Sequence, residues 1–358
     1  MEPETGMATS SVFMRLALCL LIEFAASCSQ RPCPNNDKSC LTRAQEADPV
    51  ARIAFWHDAL QQPVEQRFGP APAQLAEYID LDNRKNGFNA HPQPATIDDA
   101  FRRDVEAAIA GMPDEVKRLV GQHLAGVYFV TDLGSSGFTD KILDEQGKPV
   151  AAYVVLDRDV LMERTANAWA TWKENTPFKP ADGYRLTTLI ETPPNDTRAN
   201  AIQYILLHEF GHVLAAVGHF HPPWWSNELV KNPTAYPYFA LSWQADAKGE
   251  GYEPHKADDF ASRKDVVYYL TPKLESKQMV DIYTALSKTD FPTLYATTNP
   301  FDDFADSFAN YVHVVMLHKP FEIDIGIHGV PAYTYAACWN NERCAAKRAI
   351  LEKTLAAR

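Results

Sequence analysis

Cysteine is scarce in this sequence, and positive charge is not concentrated anywhere along it. The 358 residues include six cysteines and no C-x-x-C pair, so cysteine ligation of a metal ion is not expected. Acidic residues outnumber basic ones by 46 to 34, which gives a formal net charge of −12. Nucleic acids and anionic membrane surfaces attract basic proteins, so neither is an expected partner. No internal repeat or low-complexity stretch is present, which excludes a repeat architecture.

A targeting signal is predicted at the N-terminus. The apolar run 16–22 follows Arg15 and is too short to span a membrane as a mature helix. Small residues at 25–27 then precede Cys28, which is the layout of a secretory signal. Small residues directly before a cysteine also resemble the bacterial lipoprotein signal, in which that cysteine is lipidated; plain secretion is the alternative. We therefore expect export to the periplasm or outer membrane of a bacterium, with membrane contact only through a lipid anchor at Cys28.

The remaining cysteines agree with export. Removing the two cysteines of the signal region leaves Cys33, Cys40, Cys338 and Cys344. An even number in an oxidising compartment indicates disulfides. Three pairings are possible, and the two pairs that are close in sequence are the simplest.

The strongest motif is the H-E-x-x-H pattern from His208 to His212, inside the helix-periodic stretch 201–217. Histidines four apart lie on one helix face, so both imidazoles can bind one metal ion beside Glu209. Zn²⁺ suits neutral imidazole, and a catalytic zinc takes three protein ligands and leaves one position for water. The metal lowers the pKa of that water towards about 7, and Glu209 passes its proton to the leaving nitrogen. The pattern therefore predicts a catalytic zinc site.

The third ligand is sought downstream of the motif. The metzincin pattern requires Gly and His where Ala215 and Gly218 stand, so that class is rejected. A carboxylate from a second helix, predicted over 299–317, is the alternative. On that helix Asp302 and Asp306 are four apart and share one edge. Asp302 is predicted to bind zinc, and Asp306 to accept the N–H of a zinc histidine and fix its ring.

Two other acids compete for the ligand position. Glu228, which lies 16 residues beyond His212, ranks second, although nearby prolines leave little room for a helix there. Asp303 ranks third, because its position on the helix predicts a side chain that points to solvent.

A family resemblance adds a further catalytic residue. The segment from Asp302 through Asp306 to Phe308 is similar to the E-x-F-A-E-x-F helix of the anthrax lethal factor-like gluzincins, and the resemblance covers 126–319. In that family the first acid binds zinc and the second supports it. A tyrosine seven residues before the ligand donates to the oxyanion, and Tyr295 stands at that offset. This sequence has Asp where the family has Glu, so the two helices must lie closer together.

The expected fold class is α+β and zincin-like. Strand signals at 126–131, 148–156 and 186–191 precede the motif helix, with glycine-bearing loops between the first two. We expect a small mixed sheet, an edge strand over the cleft, an active-site H-E-x-x-H helix and a mainly helical C-terminal half. The expected units are a signal peptide (1–28), a tether (29–47), an N-terminal helical region (48–125), a zincin-like catalytic domain (126–330) and a C-terminal tail (331–358).

The sequence thus predicts an exported zinc metallopeptidase that acts on peptide or protein substrates, with Glu209 as general base. The alternative is a non-catalytic, zinc-stabilised envelope lipoprotein that acts as a binding module. A third possibility is metal-dependent hydrolysis of a non-protein amide.

Overall fold

A computed structural model describes residues 33–34, 37–226 and 228–357 of the chain. The predicted signal and its lipid site, Cys28, lie outside the described residues. The helices are α1 Lys38–Ala47, α2 His57–Gln61, α3 Ala73–Asn86, α4 Asp99–Ala110, α5 Asp114–Gly121, α6 Arg158–Met162, α7 Ala166–Asn175, α8 Arg198–Val217, α9 Phe239–Ser242, α10 Met279–Leu286, α11 Pro300–Tyr311 and α12 Ala345–Ala356. The strands are β1 Phe68–Pro70, β2 Gln93–Pro94, β3 Leu124–Thr131, β4 Gly137–Leu143, β5 Pro149–Asp157, β6 Phe178–Lys179, β7 Tyr184–Leu189, β8 Trp243–Ala245, β9 Tyr252–Pro254, β10 Leu274–Glu275, β11 Glu322–Ile327 and β12 Val330–Ala336. The chain is therefore of mixed helix and strand with small sheets, which is compatible with the expected α+β class.

The main sheet has the strand order β1-β3-β5-β4, and β2 also pairs with β3. Strands β1, β3 and β5 are parallel, and β4 is antiparallel at the edge. Strand β5 carries no charged residue before its last position, Asp157, because both of its faces are buried. Val154 packs in the core that contains α4 and α8, whereas Val155 packs on the other face with Trp56 and α3. The sheet is thus the middle of three layers.

Strand β4 lies where the sequence pattern predicts glycine-bearing loops, and that prediction is wrong. Gly137 begins the strand, and a Cβ there would lie 2.4 Å from Cδ2 of Leu156 on β5. This glycine is a packing requirement of the sheet and not a turn signal. From Gly137 to Ile142 the outer edge of β4 has no strand partner among the described residues.

A second sheet has the order β12-β11-β7. Strands β11 and β12 form a hairpin whose two turn residues, His328 and Gly329, have φ values of 50° and 80°. Two positive φ values are typical of the type I′ turn that suits hairpin twist. The C-terminal half, predicted to be mainly helical, therefore also contains a hairpin.

The free edge of β7 is closed by a polar stripe of α7. Asn167, Thr171 and Asn175 are spaced four residues apart and so lie on one face of the helix. Thr171 Oγ1 accepts the Thr188 amide at 2.9 Å, and Asn167 and Asn175 bond other backbone groups along the strand. Side chains of α7 thus take the place of a neighbouring strand, which leaves β4 as the open edge of interest.

Helices α8 and α11 cross in close contact. Helix α8 is buried on nearly all sides, as a central helix must be when its surface is apolar all round. Helix α11 lies within the predicted stretch 299–317, and it begins with Asn299 as its cap and Pro300 at its first position. A Cβ at Gly211 of α8 would lie 2.6 Å from Cα of Ala305 on α11. A glycine is therefore required for this approach.

Both disulfides that the sequence favours are confirmed. Cys33 pairs with Cys40, and Cys338 pairs with Cys344. Helix α1 occupies part of the stretch predicted to be a tether. In the portion of the chain described, no helix combines the length and apolarity needed to cross a bilayer.

Candidate metal centre

Three potential ligand atoms converge between α8 and α11. They come from His208, His212 and Asp302, and all three lie within 4.8 Å of one another. Asp302 Oδ1 is 3.7 Å from Nε2 of His208 and 3.4 Å from Nε2 of His212. The side chains are 14%, 15% and 18% exposed, respectively, so the cluster is largely buried but open to solvent on one side.

This arrangement fits a tetrahedral zinc site. Tetrahedral ligands at about 2.1 Å from Zn²⁺ lie about 3.4 Å apart, which agrees with the carboxylate-to-imidazole distances. Two imidazoles and one carboxylate form a common donor set for catalytic zinc, and the open side of the cluster leaves a fourth position. The close contact at Gly211 brings α11 near enough to α8 for the short side chain of Asp302 to reach both histidines.

Asp306 fixes the orientation of the first histidine. This carboxylate is fully buried, and its Oδ1 lies 3.2 Å from Nδ1 of His208. Thr293 donates to the other oxygen, and Lys173 Nζ lies 3.4 Å from Oδ1. Burial alone would raise the pKa of Asp306, but Lys173 and His208 hold it well below its ordinary value. Asp306 therefore stays ionised and accepts the Nδ1–H of His208, which leaves Nε2 free to face Asp302.

Asp302 is held by the cap of its own helix. Asn299 Nδ2 donates to Oδ2 of Asp302 at 2.6 Å, and Thr298 Oγ1 lies 3.4 Å from the same oxygen. The other oxygen, Oδ1, is left to face the two histidines. Burial would raise the pKa of Asp302, but the hydrogen bond and charge of His212 lower it. Asp302 is thus a charged potential metal ligand, with one carboxylate oxygen directed at the two histidines.

The side chain of Glu209 lies between its own helix, α8, and the edge strand β4. It is 6% exposed, and its Oε2 accepts a hydrogen bond from Thr139 Oγ1 of β4 at 2.7 Å. A Cβ at Gly137 would lie 3.6 Å from Oε1. The first residues of the open edge strand therefore run past the carboxylate.

Tyr295 stands against the other side of the cluster. It begins a short 3₁₀ turn before α11, and its ring centroid lies 5.5 Å from that of His208. Lys173 Nζ lies 4.5 Å from the same ring. Burial, followed by the charge of Asp302, raises the pKa of Tyr295 well above its ordinary value. Its hydroxyl is therefore a proton-bearing donor at neutral pH.

The two competing acids lie away from the cluster. Glu228 is exposed in the loop after α8. Asp303, predicted to point to solvent, is instead fully buried, where it bonds Lys347 at 2.8 Å and Trp243 at 2.9 Å. That prediction is wrong because α12 covers the face of α11 that was expected to be free. Among the described residues, only Asp302 joins the two histidines as a potential third ligand.

The sequence motifs do not include three residues that complete the site. Thr139, Lys173 and Thr293 each contact a site carboxylate through a side chain. They come from β4, α7 and the loop after α10, so no local spacing connects them to the H-E-x-x-H helix. The sequence of α7 offers a signal for one of them, Lys173. This lysine stands among Trp169, Ala170 and Trp172, so it is a charged residue on an otherwise apolar surface.

No family model, curated protein or solved structure matches this chain. The site brings together three potential metal ligands, one carboxylate able to act as a base and one phenol able to donate to an oxyanion.

Proposed function

We propose that this protein is an exported zinc-dependent metallopeptidase that hydrolyses peptide bonds, with Glu209 as general base. The observation that carries the proposal is the convergence of His208, His212 and Asp302 within 4.8 Å, with Glu209 next in sequence to His208. Histidines that served packing alone would not require one carboxylate at Nε2 and a second at Nδ1 of the same ring.

The protein groups have distinct roles in this reaction. Bound at the three ligands, Zn²⁺ would polarise the substrate carbonyl and lower the pKa of a water molecule. Thr139 holds Oε2 of Glu209, so Oε1 takes the proton of the attacking water and delivers it to the leaving nitrogen. The Tyr295 hydroxyl donates a hydrogen bond to the oxygen that gains negative charge. Asp306 keeps the proton of His208 on Nδ1, which holds the ring in one orientation.

The open edge of β4 supports a peptide substrate. An extended chain can add to an unpaired strand edge through main-chain hydrogen bonds. Gly137, at the start of this edge, lies beside Glu209 Oε1. A peptide paired with β4 would therefore pass the base, which a compact small amide would not require.

The fold and the location are parts of the same proposal. The antiparallel edge strand, the motif helix beneath the sheet and the acid from a second helix support a zincin-type catalytic domain. Two disulfides support an oxidising compartment. Together with the signal-like start of the chain, they favour export, with a lipid anchor at Cys28.

The test is Glu209→Gln, compared with wild type and with Glu228→Gln. We expect Glu209→Gln to keep stoichiometric zinc and to lose at least about 100-fold in cleavage of an unfolded protein substrate, because only the base is removed. Glu228→Gln, an exposed acid after the same helix, should retain both zinc and activity. Wild-type cleavage rates in Glu209→Gln would overturn the proposal.

Zinc binding and cleavage, both measured on the wild-type protein, separate a catalytic role from a non-catalytic one. A wild-type protein that holds one zinc ion tightly but cleaves neither unfolded proteins nor peptides would favour the non-catalytic module. Failure to bind zinc would overturn both functions.

A further inference from the structure

We infer that Lys173 is a positioning residue of the metal centre, which holds the Asp306 carboxylate and the Tyr295 ring in their places at the same time. The inference rests on the proposed function, because it assigns Lys173 a role in that site. It concerns a residue of α7 that no motif of the chain includes.

Lys173 is buried to a degree that requires compensation. It is 4% exposed, and lysines are almost never buried unless they are paired. Its Nζ lies 3.4 Å from Asp306 Oδ1 and 3.5 Å from Glu174 Oε1. The second oxygen of Glu174 is occupied, because it accepts the hydroxyls of Tyr268 and Tyr283 at 2.8 Å and 2.9 Å. The lysine therefore lies between two fixed carboxylates and has little freedom to move.

One of these carboxylates connects the lysine to the ligands. Asp306 Oδ1 is shared between Lys173 Nζ and His208 Nδ1, at 3.4 Å and 3.2 Å. The position of this oxygen decides the plane of the His208 ring and thus the direction of Nε2. Removal of the ammonium would leave Asp306 buried without its nearest positive charge. We therefore expect the geometry of His208 to depend on Lys173.

The same ammonium contacts the predicted oxyanion donor. Lys173 Nζ lies 4.5 Å from the centroid of the Tyr295 ring, closer than to the rings of Tyr268 (5.6 Å) and Trp169 (5.9 Å). A cation over the face of a phenol is attracted to the ring. It also withdraws electron density, which makes the O–H a stronger donor.

The fold offers a matched control at a second buried acid of α11, Asp303. Lys347 is also fully buried, and it bonds Asp303 at 2.8 Å and 2.9 Å. Both lysines thus neutralise an acid of α11. Asp303, however, contacts neither histidine, whereas Asp306 contacts His208. Replacement of either lysine removes a buried cation, and only one replacement should disturb the metal centre.

The experiment compares Lys173→Met, Lys173→Arg and Lys347→Met in the full chain. Affinity for Co²⁺ and Zn²⁺ is measured by chelator competition, the Co²⁺ site by its visible spectrum, and kcat and KM on an unfolded protein substrate with saturating zinc. We expect Lys173→Met to bind metal about 10- to 100-fold more weakly, as is typical when a partner of a metal ligand is lost, and to show an altered Co²⁺ spectrum. Its kcat should fall at least about tenfold with KM little changed. Lys173→Arg should recover part of both losses.

Lys347→Met should lower the melting temperature but keep metal affinity within about twofold. Wild-type metal affinity, spectrum and kcat in Lys173→Met would overturn the inference, and so would equal losses in Lys347→Met. If Lys173→Met does not fold, Lys173→Met with Glu174→Gln removes one charge of each sign, and wild-type metal binding in that pair would overturn it equally. If the wild type binds metal and cleaves substrate while Lys173→Met behaves like the wild type, only the inference is overturned. If the wild type binds no metal, the proposed function is overturned as well.

Discussion

Asn299 uses both ends of its side-chain amide. Oδ1 caps α11 by accepting the amides of Phe301 and Asp302 at 3.0 Å and 2.9 Å. Nδ2 donates to Asp302 Oδ2 at 2.6 Å. One residue therefore both starts the helix and orients the acid three positions later. The two tasks can be separated, because serine caps a helix as well as asparagine but has no amide donor.

Asn299→Ser is expected to leave stability within about 0.5 kcal/mol of wild type while zinc affinity falls about tenfold, because only the Asp302 contact is lost. Asn299→Ala should lose the same affinity and, in addition, about 1 kcal/mol of unfolding free energy. Urea unfolding of the metal-free proteins and chelator competition measure the two effects. Equal zinc affinities in all three proteins would show that Asp302 does not need this contact.

His313, in the π-helical turn that continues α11, is buried in its neutral form. It is 1% exposed, and its Nε2 lies 2.8 Å from the Ile190 carbonyl oxygen and 3.1 Å from that of Pro320. Its Nδ1 has no partner among the described residues. Burial, with a smaller effect of Lys319, lowers the pKa of His313 from 6.5 to about 4. The imidazolium form would place a second N–H where no acceptor lies.

Stability should therefore fall as the pH drops from 6.5 to 4, because the unfolded chain takes up a proton that the folded chain refuses. The contribution is complete above pH 6.5 and amounts to about 3 kcal/mol, at about 1.4 kcal/mol per pH unit. We expect His313→Gln to lack this part of the slope in urea unfolding with a chelator present. The exposed His57→Gln controls for the loss of one histidine, and parallel curves for His313→Gln and wild type would contradict the assignment.

Site residues that lie close to one another in the sequence could be predicted, whereas site residues from distant elements could not. Asp302 and Asp306 share a helix face, which spacing predicts, whereas Tyr295, seven positions before Asp302, was singled out only by the family resemblance. Lys173 and Thr139 reach the same site from elements whose positions depend on the whole fold. No local pattern encodes such contacts.

The contact between α8 and α11 fixes the distance between Asp302 and the two histidines of the candidate metal centre. A Cβ at Gly211 would meet backbone atoms of Ala305, with the nearest at 2.6 Å, so neither side can yield by rotating a side chain. The short side chain of Asp302 reaches the histidines only while the helices stay this close.

Gly211→Ala is expected to cost about 1–3 kcal/mol of unfolding free energy, as overpacking does, and to weaken zinc binding by moving Asp302 away. Gly69→Ala is the control, because a Cβ there meets nothing within 4 Å; it should be neutral or slightly stabilising. Urea unfolding and chelator competition on both variants test this. If Gly211→Ala proves as stable as Gly69→Ala and binds zinc as tightly as wild type, the close contact does not set the site.

Helices and strands could be predicted where the pattern of apolar residues was strong. Apolar periodicity marks α8, and continuous apolar residues mark β5 because both of its faces are buried. Strand β4 has glycine at its start, which favours a loop until the position of Leu156 is known. The β11–β12 hairpin carries its own signal, since alternating residues flank His328-Gly329, a pair suited to a two-residue turn.

At the scale of the whole molecule, the predicted C-terminal tail packs against α11 and against the segment that precedes it. Arg343 donates to the carbonyls of Thr289 and Phe291 at 2.5 Å and 3.0 Å, on the segment that leads to Thr293 and Tyr295. Lys347 reaches Asp303 on α11 from the same region. The Cys338–Cys344 disulfide, with both cysteines buried, closes the loop that carries Arg343.

The two disulfides therefore make a matched pair for testing long-range support of the site. They span seven and six positions, so loop closure contributes about 2 kcal/mol in each case. Replacement of Cys338 and Cys344 by alanine should cost at least that much and should also weaken zinc binding, because Arg343 loses its fixed position against the segment that leads to Thr293 and Tyr295. Replacement of Cys33 and Cys40, which are partly exposed at the N-terminal end of α1, should leave zinc affinity unchanged. Unfolding curves and chelator competition on both double variants decide the matter. Equal zinc affinities would mean that the C-terminal segment stabilises the fold without holding the site.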